Sequence, residues 1–232
     1  MVAQFSRLAP IIGEKGVTRL RQSRVLVAGL GGVGSFCAEA LVRCGVGTIA
    51  VMDSDRSEPS NLNRQLFALH STLGENKVDS FQKRAKDINP DVHVEIYPLF
   101  LNRESSGRID VTSFDAIADC IDALVPKLNL ILSCIENDIP VVASTGAGFK
   151  LDPSRVQAGS IWETINDPLA NKMRKKLRQW GHGNADFTVV YSPEKRQSPP
   201  GETTIASIIT VTGTFGLKLA AEVLALLLDL EN

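Results

Sequence analysis

The sequence predicts an α/β fold: a mostly parallel, doubly wound sheet with helices on both faces, followed by a C-terminal extension. Short β-branched runs alternate with runs of helical periodicity over residues 25–144, which is the pattern of such a sheet. A glycine-rich turn joins the first strand to the first helix. The 232 residues are 44% hydrophobic and 22% charged, which indicates one globular domain rather than a disordered chain.

The elements follow one another in a regular order. We expect strands at residues 25–28, 48–52, 92–97, 115–118, 141–144, 156–162 and 187–191. We expect helices from residue 35 to the glycines at 45 and 47, and at residues 76–88, 126–137 and 168–180. A long apolar helix at residues 205–230 ends the chain. Because it contains Lys218 and Glu222, we predict a buried or interfacial helix rather than a membrane span.

A glycine loop after the first strand predicts a nucleotide site. It has the pattern G-x-G-x-x-G, formed by Gly29, Gly31, Gly32 and Gly34, between a strand and a helix. Glycines let a phosphate approach the main chain, and the helix N-terminus then offers free N–H groups to it. Asp53, at the end of the second strand, can accept hydrogen bonds from ribose hydroxyls. The pattern is Rossmann-like, and a nicotinamide or flavin oxidoreductase would share it.

The next segment favours ATP over a dinucleotide. Arg64 and Lys77 follow the ribose acid closely, and cations of this kind neutralise a triphosphate and its leaving group. Asn61 can hydrogen-bond the same oxygens. Asp119 and Asp122 follow the fourth strand, at the sheet edge where ligands bind, and Mg²⁺ prefers such a carboxylate together with phosphate oxygens.

These residues in series resemble the ThiF/MoeB/HesA superfamily of adenylating enzymes, which are related to ubiquitin-activating enzyme. The resemblance covers about residues 4–150 and implies an ATP-binding adenylation domain at residues 1–150. It implies that Asp122 holds Mg²⁺ and that Arg7 reaches the ATP of the partner in a homodimer. The other ATP-binding positions that it implies are Asp53, Asp55, Asn61, Arg64, Gln65 and Lys77, beside the four glycines.

Residues 151–232 are interpreted as a substrate-binding extension of the same domain. The segments 145–148, 151–153, 164–170 and 212–216 resemble the tRNA threonylcarbamoyladenosine dehydratase branch of the superfamily. That resemblance implies adenylation of the threonine carboxylate of a modified tRNA, followed by ring closure and release of AMP. The alternative is an enzyme that activates the C-terminus of a ubiquitin-like or sulfur-carrier protein.

A basic helix is the predicted tRNA contact. Residues 168–180 contain no acidic residue, and residues 150–196 hold nine Lys or Arg against five Asp or Glu in a chain of net charge −1. Trp180 lies beside the helix and could stack on a base, whereas His182 is interpreted as a loop residue. The alternative is a solvated helix with Met173 and Leu177 inward. The predicted tRNA-binding cations are Lys172, Arg174, Lys175, Lys176 and Arg178.

The cysteines indicate a cytoplasmic protein without a zinc ribbon. Four cysteines occur, none in a C-x-x-C pair and none after Cys134, so we interpret them as reduced core thiols. The zinc-binding pairs of the sulfur-carrier activators are therefore missing. The N-terminal segment has no apolar signal region. The resemblance leaves room for a protein partner of the cysteine-desulfurase type.

Overall fold

The computed structural model describes residues 3–101, 108–195 and 205–230, and its centre is a seven-stranded sheet. The strand order is β3-β2-β1-β4-β5-β7-β6, and β6 pairs with β7 in the antiparallel sense while the other pairs are parallel. The strands are β1 (Arg24–Ala28), β2 (Thr48–Met52), β3 (His93–Tyr97), β4 (Ala116–Asp119), β5 (Val141–Ser144), β6 (Gln157–Ser160) and β7 (Thr188–Tyr191).

Helices cover both faces of this sheet, which confirms the predicted fold class. Alternate residues of each strand point to opposite faces, so that Val25 and Val27 face one core and Leu26 and Ala28 the other. The helices are α1 (Ala9–Gln22), α2 (Gly34–Arg43), α3 (Lys77–Ile88), α4 (Leu124–Glu136), α5 (Pro168–Gln179) and α6 (Ile209–Leu228). Helices α2, α3 and α6 cover the first core, and α4 and α5 cover the second.

Helix α1 has no counterpart in the sequence-based prediction. Its apolar periodicity is interrupted at Gly13, whose φ of 73° breaks the helical backbone. Only a narrow stripe that includes Val17 and Leu20 is buried, and part of it packs in a small satellite cluster with Phe5. A short stripe with two glycines carries little of the 3.6-residue signal from which a helix is recognised.

Helix α6 lies against α2 and the sheet. By length and composition it is the one helix in the described parts of the chain that could cross a membrane, but its residues Val211, Phe215 and Leu219 are fully buried in the fold. Close packing on α2 depends on Gly216, where a methyl group would overlap the carbonyl oxygen of Val33. The contact brings the first turn of α6 to the glycine loop.

The residues after 150 continue the same sheet. Strand β7 pairs with β5, and β6 forms the sheet edge beyond it. The segment that follows β5 therefore emerges at the carboxyl edge of the sheet, beside the ends of β1, β2 and β4. Loops from both halves of the chain meet at that edge, where open α/β sheets bind their ligands.

Candidate functional site

The glycine loop is fixed by backbone packing. Gly29 has a φ of 93°, and a methyl group there would lie 2.8 Å from the carbonyl oxygen of Cys120. At Gly34 a methyl group would overlap the carbonyl oxygen of Gly29. These two glycines therefore let the chain turn from β1 into α2 within van der Waals distance of the β4 loop.

The middle of the loop is open, in contrast to its ends. Among the residues that the structure describes, and apart from Gly31 and its two chain neighbours, no atom lies within 4 Å of the position that a methyl group would take at Gly31. At Gly32 that position lies 3.2 Å from Cγ of Arg64 and 3.2 Å from Cβ of Thr212. A phosphate can thus approach the main chain at Gly31, with the N-terminus of α2 behind it and Arg64 at its side.

Asp53 is held next to this opening at the end of β2. Its carboxylate accepts hydrogen bonds from the backbone N–H of Leu30 at 2.7 Å and from that of Asp55 at 2.8 Å. Burial raises the pKa of the Asp53 carboxyl, and Lys77 opposes that rise. An oriented carboxylate here is suited to accept hydrogen bonds from a ribose, as the sequence indicates.

Lys77 reaches the site because two chain segments pair beside it. A bridge between Arg56 and Asn76 and a hydrogen bond from the N–H of Lys77 to the carbonyl oxygen of Asp55 fix the start of α3. The Lys77 ammonium lies 2.9 Å from the Asp55 carboxylate and 4.0 Å from that of Asp53. It is 5% exposed, so its cation is held at the edge of the sheet.

The predicted N-x-N-R-Q segment forms a turn beside the glycine loop. The side-chain oxygen of Asn61 accepts from the N–H of Glu58 at 3.1 Å, so part of its hydrogen-bonding capacity shapes the turn itself. Gln65 is also buried, and its N–H donates to the carbonyl oxygen of Asn61. The Arg64 guanidinium donates to the carbonyl oxygen of Ser60 at 2.8 Å. Arg64 is only partly buried and remains accessible to a ligand.

The two acidic residues after β4 have different surroundings. Asp119 is fully buried and accepts a hydrogen bond from Nζ of Lys127 at 2.6 Å, so its carboxylate is not free to bind a metal ion. Burial raises the pKa of its carboxyl, and Lys127 opposes that rise. Asp122 is exposed, two residues after Cys120, whose carbonyl oxygen contacts the glycine loop. Asp122 is therefore the accessible carboxylate of the pair.

Lys127 and Thr212 are site residues that the sequence did not identify. A lysine within the apolar run of α4 signals a buried ion pair, and this signal could have revealed Lys127. Thr212 lies in the first turn of α6 against Gly32, which only the fold brings together. The side chain of Asn63 also donates to the carbonyl oxygen of Ser207 at 3.0 Å, which ties the segment before α6 to the rim of the site.

Arg7 lies away from the glycine loop of its own chain. Phe5 is buried against Gly45, where a methyl group would lie 2.9 Å from the Phe5 ring. Gly45 follows the end of α2, whose 10 residues span about 15 Å from the glycine loop. Arg7 itself is exposed, two residues after Phe5.

Helix α5 presents cations to solvent, with one exception. Met173 and Leu177 are fully buried, as expected of the inward face. The Arg174 guanidinium instead points into the fold and donates to the carbonyl oxygens of Ile161 at 2.9 Å and of Thr164 at 3.0 Å. The remaining predicted cations, Lys172, Lys175, Lys176 and Arg178, are exposed or partly exposed.

The cysteines are buried or half-buried thiols without disulfides. Burial raises the pKa of Cys134 to about 12, which makes it a poor nucleophile. In the described parts of the chain, no three or more His, Cys, Asp or Glu side chains gather as a metal site. The arrangement at the carboxyl edge can thus hold a nucleoside, its phosphates and a second substrate, without a cysteine nucleophile.

Known proteins share this arrangement of the chain. The tRNA threonylcarbamoyladenosine dehydratase of Bacillus subtilis is 43% identical over 181 residues, which are 78% of this chain and 71% of that protein. The Escherichia coli enzyme of the same name is 36% identical over 187 residues, which are 81% of this chain and 68% of that protein. The crystal structure of the Escherichia coli enzyme TcdA in complex with AMP superposes with a TM-score of 0.92 at 32% identity, covering 97% of this chain and 94% of that chain.

The similarity also extends across both halves of the chain. The model of the ThiF family matches residues 5–232, which include the glycine loop, the N-x-N-R-Q turn and the segments after residue 145. With a match of that extent and relatives that share more than a third of their aligned residues with it, this chain belongs to the ThiF family.

Proposed function

We propose that this protein is an ATP-dependent tRNA threonylcarbamoyladenosine dehydratase, which converts threonylcarbamoyladenosine in tRNA to its cyclic form. The observation that carries the proposal is the convergence of four features at one sheet edge. An open glycine loop, an oriented carboxylate and two cations lie together there, in a chain whose relatives bear that name. A hydrogen bond with Cys37 and burial raise the pKa of Cys120, the cysteine beside the glycine loop, which suits a reaction in which the substrate supplies the second nucleophile.

ATP fits the site in one orientation. The ribose hydroxyls donate to the Asp53 carboxylate at the end of β2, which places the phosphates over Gly31 and the N-terminus of α2. Arg64 and Lys77 flank that position and neutralise the phosphate oxygens. Asn61 and Gln65 hold the turn that carries Arg64, and Asp55 orients the Lys77 ammonium. A complex of the Escherichia coli enzyme TcdA with ATP, of TM-score 0.89, supports this choice of nucleotide.

The reaction proceeds in two displacements. A carboxylate oxygen of the threonyl group forms a bond to the α-phosphorus, and pyrophosphate leaves with the electron pair of the broken P–O bond. Arg64 and Lys77 stabilise the negative charge that develops on the departing phosphates. A nucleophile within the same modified side chain then attacks the acyl carbon, loses its proton and closes the ring, while AMP leaves. In both steps the protein binds and orients the reacting groups and excludes water from them.

Asp122 would hold a Mg²⁺ ion bound with the nucleotide. Its side chain is exposed two residues after Cys120, whose carbonyl oxygen contacts the glycine loop, whereas Asp53 and Asp119 already accept hydrogen bonds from neighbouring groups. One carboxylate together with phosphate oxygens is a usual environment for Mg²⁺ in proteins. When bound, the ion supplies positive charge that offsets the charge of the phosphates.

A homodimer would complete the site with Arg7. Phe5, two residues before Arg7, lies against Gly45 at the far end of α2 from the glycine loop, which supports a role for Arg7 near the phosphates of a second copy of the chain. The expected tRNA surface is the exposed side of α5, with Lys172, Lys175, Lys176 and Arg178. A cytoplasmic location and a cysteine-desulfurase-type partner belong to the same proposal.

Mass spectrometry of tRNA tests the reaction. Protein and ATP are incubated with tRNA that carries threonylcarbamoyladenosine, and the nucleosides are then digested and weighed. We expect loss of one water from the modified nucleoside, no change when ATP is omitted, and much slower conversion when Arg64→Ala protein is used. An unchanged nucleoside with folded wild-type protein would contradict the proposal. Exchange of pyrophosphate into ATP without tRNA turnover would favour activation of a protein C-terminus.

A further inference from the structure

A groove beside the C-terminal end of α5 is not used by the reaction. It has a volume of about 410 Å³ and lies between α4 and the turn that follows α5. It is lined by Asn129, Leu132, Ser133, Glu136, Trp180 and His182. Two backbone hydrogen bonds fix the turn that forms one wall of the groove. The N–H of His182 donates to the carbonyl oxygen of Leu177 at 2.9 Å, and the N–H of Ala185 donates to the carbonyl oxygen of His182 at 3.0 Å.

The lining of the groove matches a nucleobase. An indole and an imidazole offer flat rings, and unpaired bases stack on such rings in sequence-tolerant RNA recognition. Glu136, Asn129 and Ser133 offer acceptors and donors of the kind that bind base edges. The groove therefore combines a stacking wall with a polar rim, which a purely apolar ligand would not require.

The charge around the groove favours a base attached to phosphate. Nζ of Lys176 lies 5.2 Å from the centroid of the Trp180 ring, and the Arg178 guanidinium lies 4.8 Å from that of Trp162. Both cations are on the last turn of α5, which leads into the groove, and Lys172 and Lys175 precede them on the same helix. Cations beside an aromatic wall are the usual arrangement of a single-stranded RNA site.

The groove lies within reach of the reaction site. Helix α4 begins two residues after Asp122 and ends at Glu136, so the groove is about 20 Å from the nucleotide edge at 1.5 Å per residue. The anticodon loop of a tRNA contains several unpaired bases in succession. One of them can enter the groove while the modified nucleoside lies beside the glycine loop.

We propose that this groove is a second recognition site, in which an unpaired base of the substrate tRNA stacks on Trp180. The proposal rests on the proposed function for the identity of the RNA. It assigns the tRNA contact of this chain to a stacked base as well as to the exposed cations of α5.

Two single-tryptophan variants test the site directly, since the chain has only Trp162 and Trp180. In Trp162→Phe the remaining fluorescence comes from Trp180, and in Trp180→Phe it comes from Trp162. Each is titrated with an unmodified anticodon stem–loop RNA, so that binding is measured without turnover. We expect saturable quenching in the Trp162→Phe protein and little change in the Trp180→Phe protein.

Affinity provides the second readout. Trp180→Ala should bind the stem–loop about tenfold more weakly, and Trp180→Phe should restore most of the loss because a ring still stacks. If Trp180→Ala does not fold, Glu136→Gln is measured instead. This variant should change the relative affinities for stem–loops that differ in one loop base. Trp180 fluorescence that is unquenched at saturating RNA, or wild-type affinity in folded Trp180→Ala, would overturn the proposal.

The experiment separates this site from the proposed reaction. Wild-type and Trp162→Phe proteins are also assayed for loss of water from tRNA that carries threonylcarbamoyladenosine. Turnover without quenching of Trp180 would refute the groove and leave the reaction standing. Saturable quenching without turnover would refute the reaction and leave the groove as an RNA site.

Discussion

The glycine-loop edge and the exposed side of α5 show two different ways of building a binding surface. At the edge, backbone geometry and buried partners fix each group, as with Gly34 against Gly29 and Lys77 between two carboxylates. On α5, long cationic side chains project from a helix whose inner face packs in the core. We propose that the first surface recognises one ligand through position and that the second attracts a polyanion through charge. Substitutions should therefore act on different quantities in the two regions.

The largest effect is expected beneath the edge, at the buried ion pair of Asp119 and Lys127. Lys127→Met removes the cation and leaves a buried carboxylate without its partner, so the free energy of unfolding should fall by about 3–5 kcal/mol. Urea unfolding measures it. Lys83→Met is the matched control, because Lys83 forms an exposed pair with Glu75 and should lose less than about 1 kcal/mol. Equal losses of unfolding free energy in the two variants would show that the buried ion pair contributes no more to stability than the exposed one.

Arg64→Ala should act on turnover rather than on folding. Removal of a preorganised cation beside the phosphates should cost about 2–4 kcal/mol of transition-state stabilisation, measured as kcat/KM for tRNA-dependent release of AMP. Arg21→Ala, an exposed arginine on α1, is the control and should leave kcat/KM unchanged. Native turnover by Arg64→Ala would remove this residue from the reaction.

The glycine loop offers a matched pair of substitutions. Gly34→Ala should lower the free energy of unfolding by about 1–3 kcal/mol, because the added methyl group overlaps the Gly29 carbonyl oxygen. Gly31→Ala should fold normally, since the space around Gly31 is open, but it should bind ATP more weakly because the methyl group occupies the approach of the phosphate. Urea unfolding and calorimetric titration with ATP measure the two effects. Normal ATP binding by Gly31→Ala would place the phosphates elsewhere.

The smallest effect is expected on α5, where two neighbouring cations should behave differently. Lys175→Ala should weaken tRNA binding modestly and reduce the slope of log affinity against log salt by about 1. Arg174→Ala should instead lower stability, because its guanidinium holds the carbonyl oxygens of Ile161 and Thr164. Filter binding at several salt concentrations measures the effect on tRNA affinity, and urea unfolding measures the effect on stability. An unchanged salt slope in Lys175→Ala would remove this residue from the tRNA surface.

The sequence predicts most of the edge because its constraints are local. The glycine loop, Asp53 and the strand limits follow from short patterns, and β2 and β5 have the predicted bounds. The pairing of Asp119 with Lys127 depends on how α4 packs over β4, so the residue pattern alone does not reveal that the Asp119 carboxylate already has a partner. Arg174 and Lys175 are adjacent cations in the same basic run, so the sequence does not distinguish them. Only the folded position of the segment before α5 shows that Arg174 donates to a backbone carbonyl oxygen. Patterns reveal residue type and backbone geometry, whereas side-chain partners require the fold.

Transfer of a labelled oxygen shows whether the threonine carboxylate is adenylated before the ring closes. The threonine carboxylate of the modified tRNA is labelled with oxygen-18, and the AMP released by the protein with ATP is analysed by mass spectrometry. Adenylation joins a carboxylate oxygen to the α-phosphorus, and ring closure then breaks the bond between that oxygen and the acyl carbon. We therefore expect AMP that carries one labelled oxygen. AMP without label, or a cyclised nucleoside that retains both labelled oxygens, would contradict it.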